Sequence, residues 1–339
     1  MAGLRELAEG NAREYLAGRL EVSGGATARS LGGGVSNNVV LVEDGPQRVV
    51  LKQSIPRLRV RDEWFADRSR IFREWEAIRA LARVLPRGRV PELLFLDEPR
   101  YLYAMRAAPC ATRAWKTRLL AGECSSDVAR LAGGTLGLAI RGTWRRREFR
   151  DAFSDTTAFD QLRTDPYYRT VGLRHPRLRP TVEAWIAESS RRQVAMVHGD
   201  WSPKNVLVGE GGLVCIDFEC AHFGDPSYDA GFMLNHLILK AFRRPDLSPQ
   251  YFRLARVTFA WTLGMLPSEA LDWFEAASVR HLAFLMLARV DGKSPVEYLT
   301  LESVRERVRC LALRLIESAP ARLEAALATA TESLPPPQP

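Results

Sequence analysis

Three groups of side chains in this sequence have the types and spacing to do chemistry together. The densest is the run His198-Gly199-Asp200-Trp201-Ser202-Pro203-Lys204-Asn205. A carboxylate such as Asp200 can accept or orient the proton of an incoming hydroxyl, and an amide oxygen five residues on, at Asn205, can hold a magnesium ion. The second group lies seventeen residues past Asp200, where an apolar run closes on Ile216-Asp217-Phe218-Glu219. An acid ending an apolar strand is costly to bury unless it binds something. Magnesium favours a few carboxylates together with phosphate oxygens, so Asp217, with Glu219 beside it, reads as a metal ligand. The third is Lys52, a lone cation in the β-rich run Arg48-Val49-Val50-Leu51-Lys52-Gln53.

Transfer of a phosphoryl group needs a cradle for the triphosphate, a lysine on it, metal ligands and a carboxylate facing the acceptor. Gly32, Gly33 and Gly34 can supply the cradle, because glycine lets backbone N–H groups come close to phosphate oxygens. Ser36 and Asn37 follow and can add hydrogen bonds. Lys52 comes 18 residues after Gly34, on the strand after the glycine loop, and needs a carboxylate partner. Glu74 shares a helical face with Ile71, Ile78 and Leu81, whereas Glu76 points nearly opposite, so Glu74 is the expected partner. Taken singly, each feature has a bland reading: a flexible turn, a solvated lysine, a loop. Their order and spacing carry the inference.

The elements that must position these groups fall into two parts. An amphipathic helix is expected over residues 4–20, then a hairpin from Val39–Val42 to Val49–Leu51 across an Asp-Gly turn. A helix over residues 66–84 and two apolar runs in 90–105 complete a small β-rich lobe. Beyond Arg106–Pro109 helices dominate, interrupted by a strand–loop–strand region at 194–218, and 227–330 is helical in pattern. We therefore expect an α+β chain with a nucleotide-binding lobe over 1–106 and a catalytic, acceptor-binding lobe over 107–332. The proline-rich residues 333–339 are expected to be disordered.

Composition narrows the partners. Of 48 basic residues only five are lysines, and the arginines are scattered rather than set in a stripe with aromatics. A net charge of +8 thus reads as a solvated basic surface, not a nucleic-acid face. The five cysteines show no metal-like spacing. No apolar run is long enough to span a bilayer and the N-terminus lacks a signal-peptide core, so no membrane partner and a cytoplasmic location are expected. A monomer or a homodimer fits equally.

The motif order resembles the aminoglycoside phosphotransferase and choline kinase-like superfamily, over roughly residues 25–310. That resemblance implies a bilobal protein kinase-like fold with ATP and Mg2+ as cofactors. It implies Asp200 as catalytic base, Asn205 and Asp217 on magnesium, and Lys52 with Glu74 on the phosphates. It further implies that the segment Met105 to Ala107 contacts adenine through its backbone, and that Asp229 braces the catalytic loop. A narrower likeness is to 5-methylthioribose kinase, through the stretch after Lys52, including Glu63 and Trp64, and through the Asp217–Glu219 pair. The sequence departs from that family in having Phe218 where it typically has proline, and Arg280-His281 where it has paired arginines.

The acceptor is read as a small hydroxyl compound. Residues 231–330 hold 13 Lys/Arg against 10 Asp/Glu, which does not favour a polycation and suits a neutral or anionic sugar-like alcohol. The alternatives are an aminoglycoside O-phosphotransferase, a catalytically silent nucleotide-binding protein, or a protein kinase. The last lacks support, because the loop reads His-Gly-Asp and no Ala-Pro-Glu segment follows.

Overall fold

Runs of β-branched residues that alternate across two covered faces build the N-terminal sheet. The computed structural model describes residues 6–32, 34, 36–59 and 64–335, so the expectations placed on Gly33, Glu63 and residues 336–339 lie outside the described residues. The chain divides into two compact units, Met1–Cys110 and Ala111–Pro339.

In the first unit β1 (Thr27–Ser30), β2 (Asn37–Asp44), β3 (Gln47–Ser54), β4 (Leu93–Asp97) and β5 (Leu102–Arg106) form one antiparallel sheet in the order β1-β2-β3-β5-β4. The β2–β3 hairpin turns at Gly45, whose φ of +57° favours glycine. Helix α1 (Glu9–Ala17) places Ala12 and Leu16 against Val40, Val42, Val49 and Leu51. The period of two then turns Val50 and Lys52 to the opposite face. Helix α2 (Arg70–Leu81) buries Ile71, Glu74, Ala77, Ile78 and Leu81, the spacing of a single helical face. It is shorter than the 66–84 expected. The Asp67 carboxylate accepts from the Ser69 amide just before it, and the chain turns ahead of Pro86.

The second unit opens with β6 (Arg113–Ala114), α3 (Trp115–Leu120) and α4 (Ser126–Thr143). Short helices follow, α5 (Arg147–Phe153), α6 (Thr157–Phe159), α7 (Thr170–Arg174) and α8 (Arg179–Ser190), with a wider π-helical segment over Asp160–Arg169. Strands β7 (Ala195–Val197), β8 (Val206–Gly209), β9 (Gly212–Cys215) and β10 (His222–Gly224) form two small antiparallel sheets, β10-β7 and β6-β8-β9. The helices α9 (Ser227–Arg243), α10 (Ser248–Leu263), α11 (Ser268–Asp291), α12 (Glu302–Ser318) and α13 (Leu323–Ser333) complete it. From Ser227 to Phe242 every residue of α9 is buried, as for a helix enclosed on all sides. Glycines permit the tightest crossings. A Cβ at Gly133 of α4 would lie 2.0 Å from the Thr258 carbonyl oxygen of α10, and one at Gly231 of α9 would lie 2.7 Å from the Ser278 carbonyl oxygen of α11. The α+β class expected from the sequence is the class found, a β-rich part followed by a mainly helical one.

Candidate active site

Strand β7 runs out at Val197 into the loop that begins His198-Gly199-Asp200, and β8 takes the chain back up at Val206. Both ends are anchored, since β7 pairs with β10 and β8 with β9. Five hydrogen bonds then tie the loop. The Asp229 carboxylate accepts the amides of His198 (2.6 Å) and Gly199 (2.9 Å). Asp229 stands in the first turn of α9, so it braces this loop rather than capping its own helix. Its burial raises its pKa to about 7, against the pull of those two amides. His198 bridges the loop to the residue that follows β9. Its Nδ1 accepts from the Asp200 amide at 3.1 Å, which leaves Nε2 to donate to the Ile216 carbonyl at 3.1 Å. That is the neutral tautomer, and burial brings its pKa down to about 4. The Asn205 side-chain nitrogen donates to the Asp200 carbonyl at 3.0 Å.

Gly199 is required twice over. Its φ is +78°, and a Cβ there would sit 2.6 Å from that of Cys220. Asp217 also has a positive φ, +73°, a conformation that costs a non-glycine residue roughly 1–2 kcal/mol.

Asp200 is 3% exposed, so its charge state depends on its partners. Arg163 lies 2.9 Å from one carboxylate oxygen and Lys204 lies 3.0 Å from the same atom. Burial works to raise this carboxyl, yet Arg163 and then Lys204 hold it below its ordinary value, with Asp217 opposing them. Asp200 is therefore an oriented anion. Arg163 comes from the π-helical segment and is fixed by donating to the carbonyls of Gly199 and Leu162, both at 2.7 Å. It did not emerge from the sequence, and its only local signal is Pro166 inside a helical stretch, where proline frees backbone bonds and widens the winding.

Magnesium can be tested against these residues. The ammonium of Lys204, 3.0 Å from Asp200 and 3.9 Å from Asp217, shows that the two carboxylates share a position a cation fills. With its nitrogen engaged by the Asp200 carbonyl, Asn205 has its amide oxygen to offer. Carboxylate and amide oxygens are the hard donors that Mg2+ takes, so Asn205 and Asp217 fit the ion. Glu219 is buried two residues on from Asp217.

In the N-terminal unit Lys52 and Glu74 form a buried ion pair, with Nζ 2.8 Å and 2.7 Å from the two carboxylate oxygens. Neither Gly32 nor Gly34 has a left-handed φ, and a Cβ on either meets nothing within 4 Å, so packing within the unit does not demand glycine there. Ser36 and Asn37 are buried, and the Asn37 side-chain nitrogen donates to the Ser36 hydroxyl at 2.9 Å. The Ser36 carbonyl is held by the buried guanidinium of Arg70, which also donates to the Ile55 carbonyl at 2.8 Å. Arg70 is a second residue that sequence reasoning missed. Met105 is buried in β5, and the Ala107 amide donates to the Arg48 carbonyl at 2.9 Å. The amide of Ala107 is thus engaged within the N-terminal unit. His281, at the position of the expected arginine pair, is 2% exposed and knotted to Tyr168 (2.6 Å) and Trp185 (3.3 Å). It belongs to the core.

Among the described residues no helix is long and apolar enough to cross a membrane. A methylthioribose kinase of Pectobacterium carotovorum subsp. carotovorum (strain PC1) is 26% identical over 250 residues, covering 65% of this chain and 62% of that protein. The chain thus spans about three fifths of the length of the curated relatives it matches. Among solved structures, the GDP complex of an aminoglycoside 2'-phosphotransferase is similar at a TM-score of 0.53 and 15% identity, covering 90% of this chain and 94% of that one. A choline/ethanolamine kinase family protein of Mesorhizobium loti is similar at 0.50 and 19%, covering 95% and 99%. Those two likenesses show a shared fold. The profile of the phosphotransferase enzyme family matches residues 27–262, well over half of the sequence, and to that family this chain belongs.

Proposed function

We propose that the protein moves the γ-phosphate of ATP to a hydroxyl of a small, sugar-like metabolite, as a methylthioribose kinase-like enzyme of the cytoplasm. The observation that carries the reading is the environment of Asp200, a buried carboxylate kept ionised by Arg163 and Lys204 in a loop whose Asn205 presents an amide oxygen. In this reading Asp200 accepts a hydrogen bond from the acceptor hydroxyl and turns its oxygen lone pair toward phosphorus. A carboxylate of low basicity orients more than it abstracts, which suits a loose transition state where the proton leaves late. The O–P bond to the acceptor forms as the bond to the β-phosphate oxygen breaks, and the hydroxyl proton passes to Asp200. Lys52, fixed by Glu74, contacts the phosphates. Magnesium, when bound by Asn205 and Asp217 with Glu219 nearby, supplies positive charge to the phosphate oxygens.

A panel of small hydroxyl compounds, each assayed with Mg-ATP by release of ADP, tests this. Turnover of a sugar-like member of the panel, neutral or anionic, is expected. Asp200→Asn should lower kcat by about 10²–10⁴-fold while Mg-ATP binding, followed by calorimetry, stays near wild type. Near-normal turnover in that variant would sink the mechanism. Turnover confined to aminoglycosides would replace the acceptor class, although the cationic excess in 231–330 argues against a polycation.

A further inference from the structure

Lys240 lies near the C-terminal end of α9 and is completely buried. Its ammonium donates to the His236 carbonyl one turn back at 3.1 Å and lies 5.1 Å from the centre of the Tyr298 ring. Both partners are neutral. Further donors gather around it. Lys116 lies 6.0 Å from the same ring, and among the described residues the buried Tyr298 hydroxyl and Nε of Arg289 have no hydrogen-bond partner. Glu297 is the acid of the group. It pairs with Lys116, and 63% of its side chain is exposed. Burial first, then Lys116, with Glu297 opposing and Arg289 adding, brings the pKa of Lys240 down to about 7. His236 is pushed down as well, by burial and then by Arg289, Lys240, Lys204 and Lys116. Lys116 is partly exposed and Arg289 already donates through Nη1 to the Tyr167 hydroxyl and Ser294, so the buried charge is that of Lys240, which is costly without an anion to face it and the Tyr298 hydroxyl.

The cluster adjoins the catalytic loop within the same unit. The Lys116 amide donates to the Pro203 carbonyl at 2.8 Å. The ring of Tyr167 has Arg163, the partner of Asp200, at 5.7 Å and Arg289 at 5.7 Å. An acceptor whose hydroxyl meets Asp200 can therefore extend to these donors.

We propose that the acceptor carries a carboxylate or phosphate group besides its hydroxyl, and that Lys240, Lys116, Arg289 and Tyr298 seat that anion. The assignment rests on the phosphotransferase reading above and names the substrate class within it.

Two measurements on the full chain test it and fail separately. Inorganic phosphate, titrated into protein saturated with Mg-ADP, should raise the melting temperature. In Lys240→Met the midpoint of that titration should move about tenfold upward, the loss of one charge-assisted contact. Lys116→Gln, on a partly exposed side chain, should do the same and serves if the first variant does not fold. No phosphate-dependent shift in the wild type, or an unchanged midpoint in both variants, overturns the proposal. The second measurement compares acceptors of one carbon skeleton, as neutral polyol and as its acid or phosphate ester, by ADP release. The anionic member should have the higher kcat/KM by about tenfold or more, inorganic phosphate should compete with it, and both variants should lose that advantage. Preference for the neutral member, or phosphate binding that does not compete, overturns it. If no acceptor releases ADP, the transfer reading fails while the phosphate titration still decides the anion seat.

Discussion

At the scale of the residue, His198 shows how a side chain next to the proposed catalytic carboxylate can act by holding the backbone around it. The imidazole joins the Asp200 amide to the Ile216 carbonyl, one residue before Asp217, and does so only as the neutral form. Its pKa is about 4 in the fold against 6.5 when free, so the unfolded chain binds more protons between those values. Stability should therefore be complete above pH 6.5 and fall as the pH drops toward 4. Between pH 7 and pH 5 this one group should remove about 2 kcal/mol, measured as a fall in urea midpoint at constant slope. His198→Gln should flatten that dependence, and an equal acid loss in the variant would assign it elsewhere. Asp200, Asn205 and Asp217 were legible because they lie in two short segments whose internal spacing has chemical meaning. Lys52 and Glu74 could be paired by alternation on a strand and period on a helix. Arg163 and Arg70 were not legible. Their partners are 36 and 34 residues away, and no local periodicity encodes such a meeting. Lys240 gave no such signal, since α9 also carries Arg243, and its meaning came only with Lys116, Arg289 and Tyr298 around it.

At the scale of the element, close backbone contact explains what side-chain pattern does not. Helices α4 and α10 touch where Gly133 and Gly137 face the carbonyls of Thr258 and Thr262. Gly133→Ala would drive a methyl group into a carbonyl oxygen, so the helices must separate. We expect a loss of about 3 kcal/mol or more by chemical denaturation, whereas Gly134→Ala, whose Cβ would lie 3.7 Å from the Trp261 ring, should be nearly neutral or slightly stabilising. Equal effects would contradict the packing described. The long strands β2 and β3 and the run of helices from α9 onward were readable, because their apolar periods are sustained. The two-residue strand β6 and the π-helical segment were not, since each is held by tertiary pairing and leaves too short a pattern. The ends of α2 were misjudged because the Asp67 turn, not the apolar period, decides where that helix begins.

At the scale of the whole molecule, each unit has its own core. That of the N-terminal unit is sealed by α1, where Leu16 is 1% exposed against Val40, Val42 and Leu51. Leu16→Ala should cost about 2–5 kcal/mol, and because the cores are separate, scanning calorimetry should then show the N-terminal unit melting ahead of the rest. A single transition moved as a block would argue that the units unfold together. The helix α9 has a comparable reach inside the C-terminal unit. Asp229 in its first turn fixes the loop of Asp200, and seven residues further along, His236 receives the ammonium of Lys240. At 1.5 Å of rise per residue those two levels are about 10 Å apart. The helix is thus a gauge. In the proposed reading it measures out how far an acceptor extends between the hydroxyl that meets Asp200 and the anion seated at Lys240, and it sets that length with a rod whose residues from Ser227 to Phe242 are all buried.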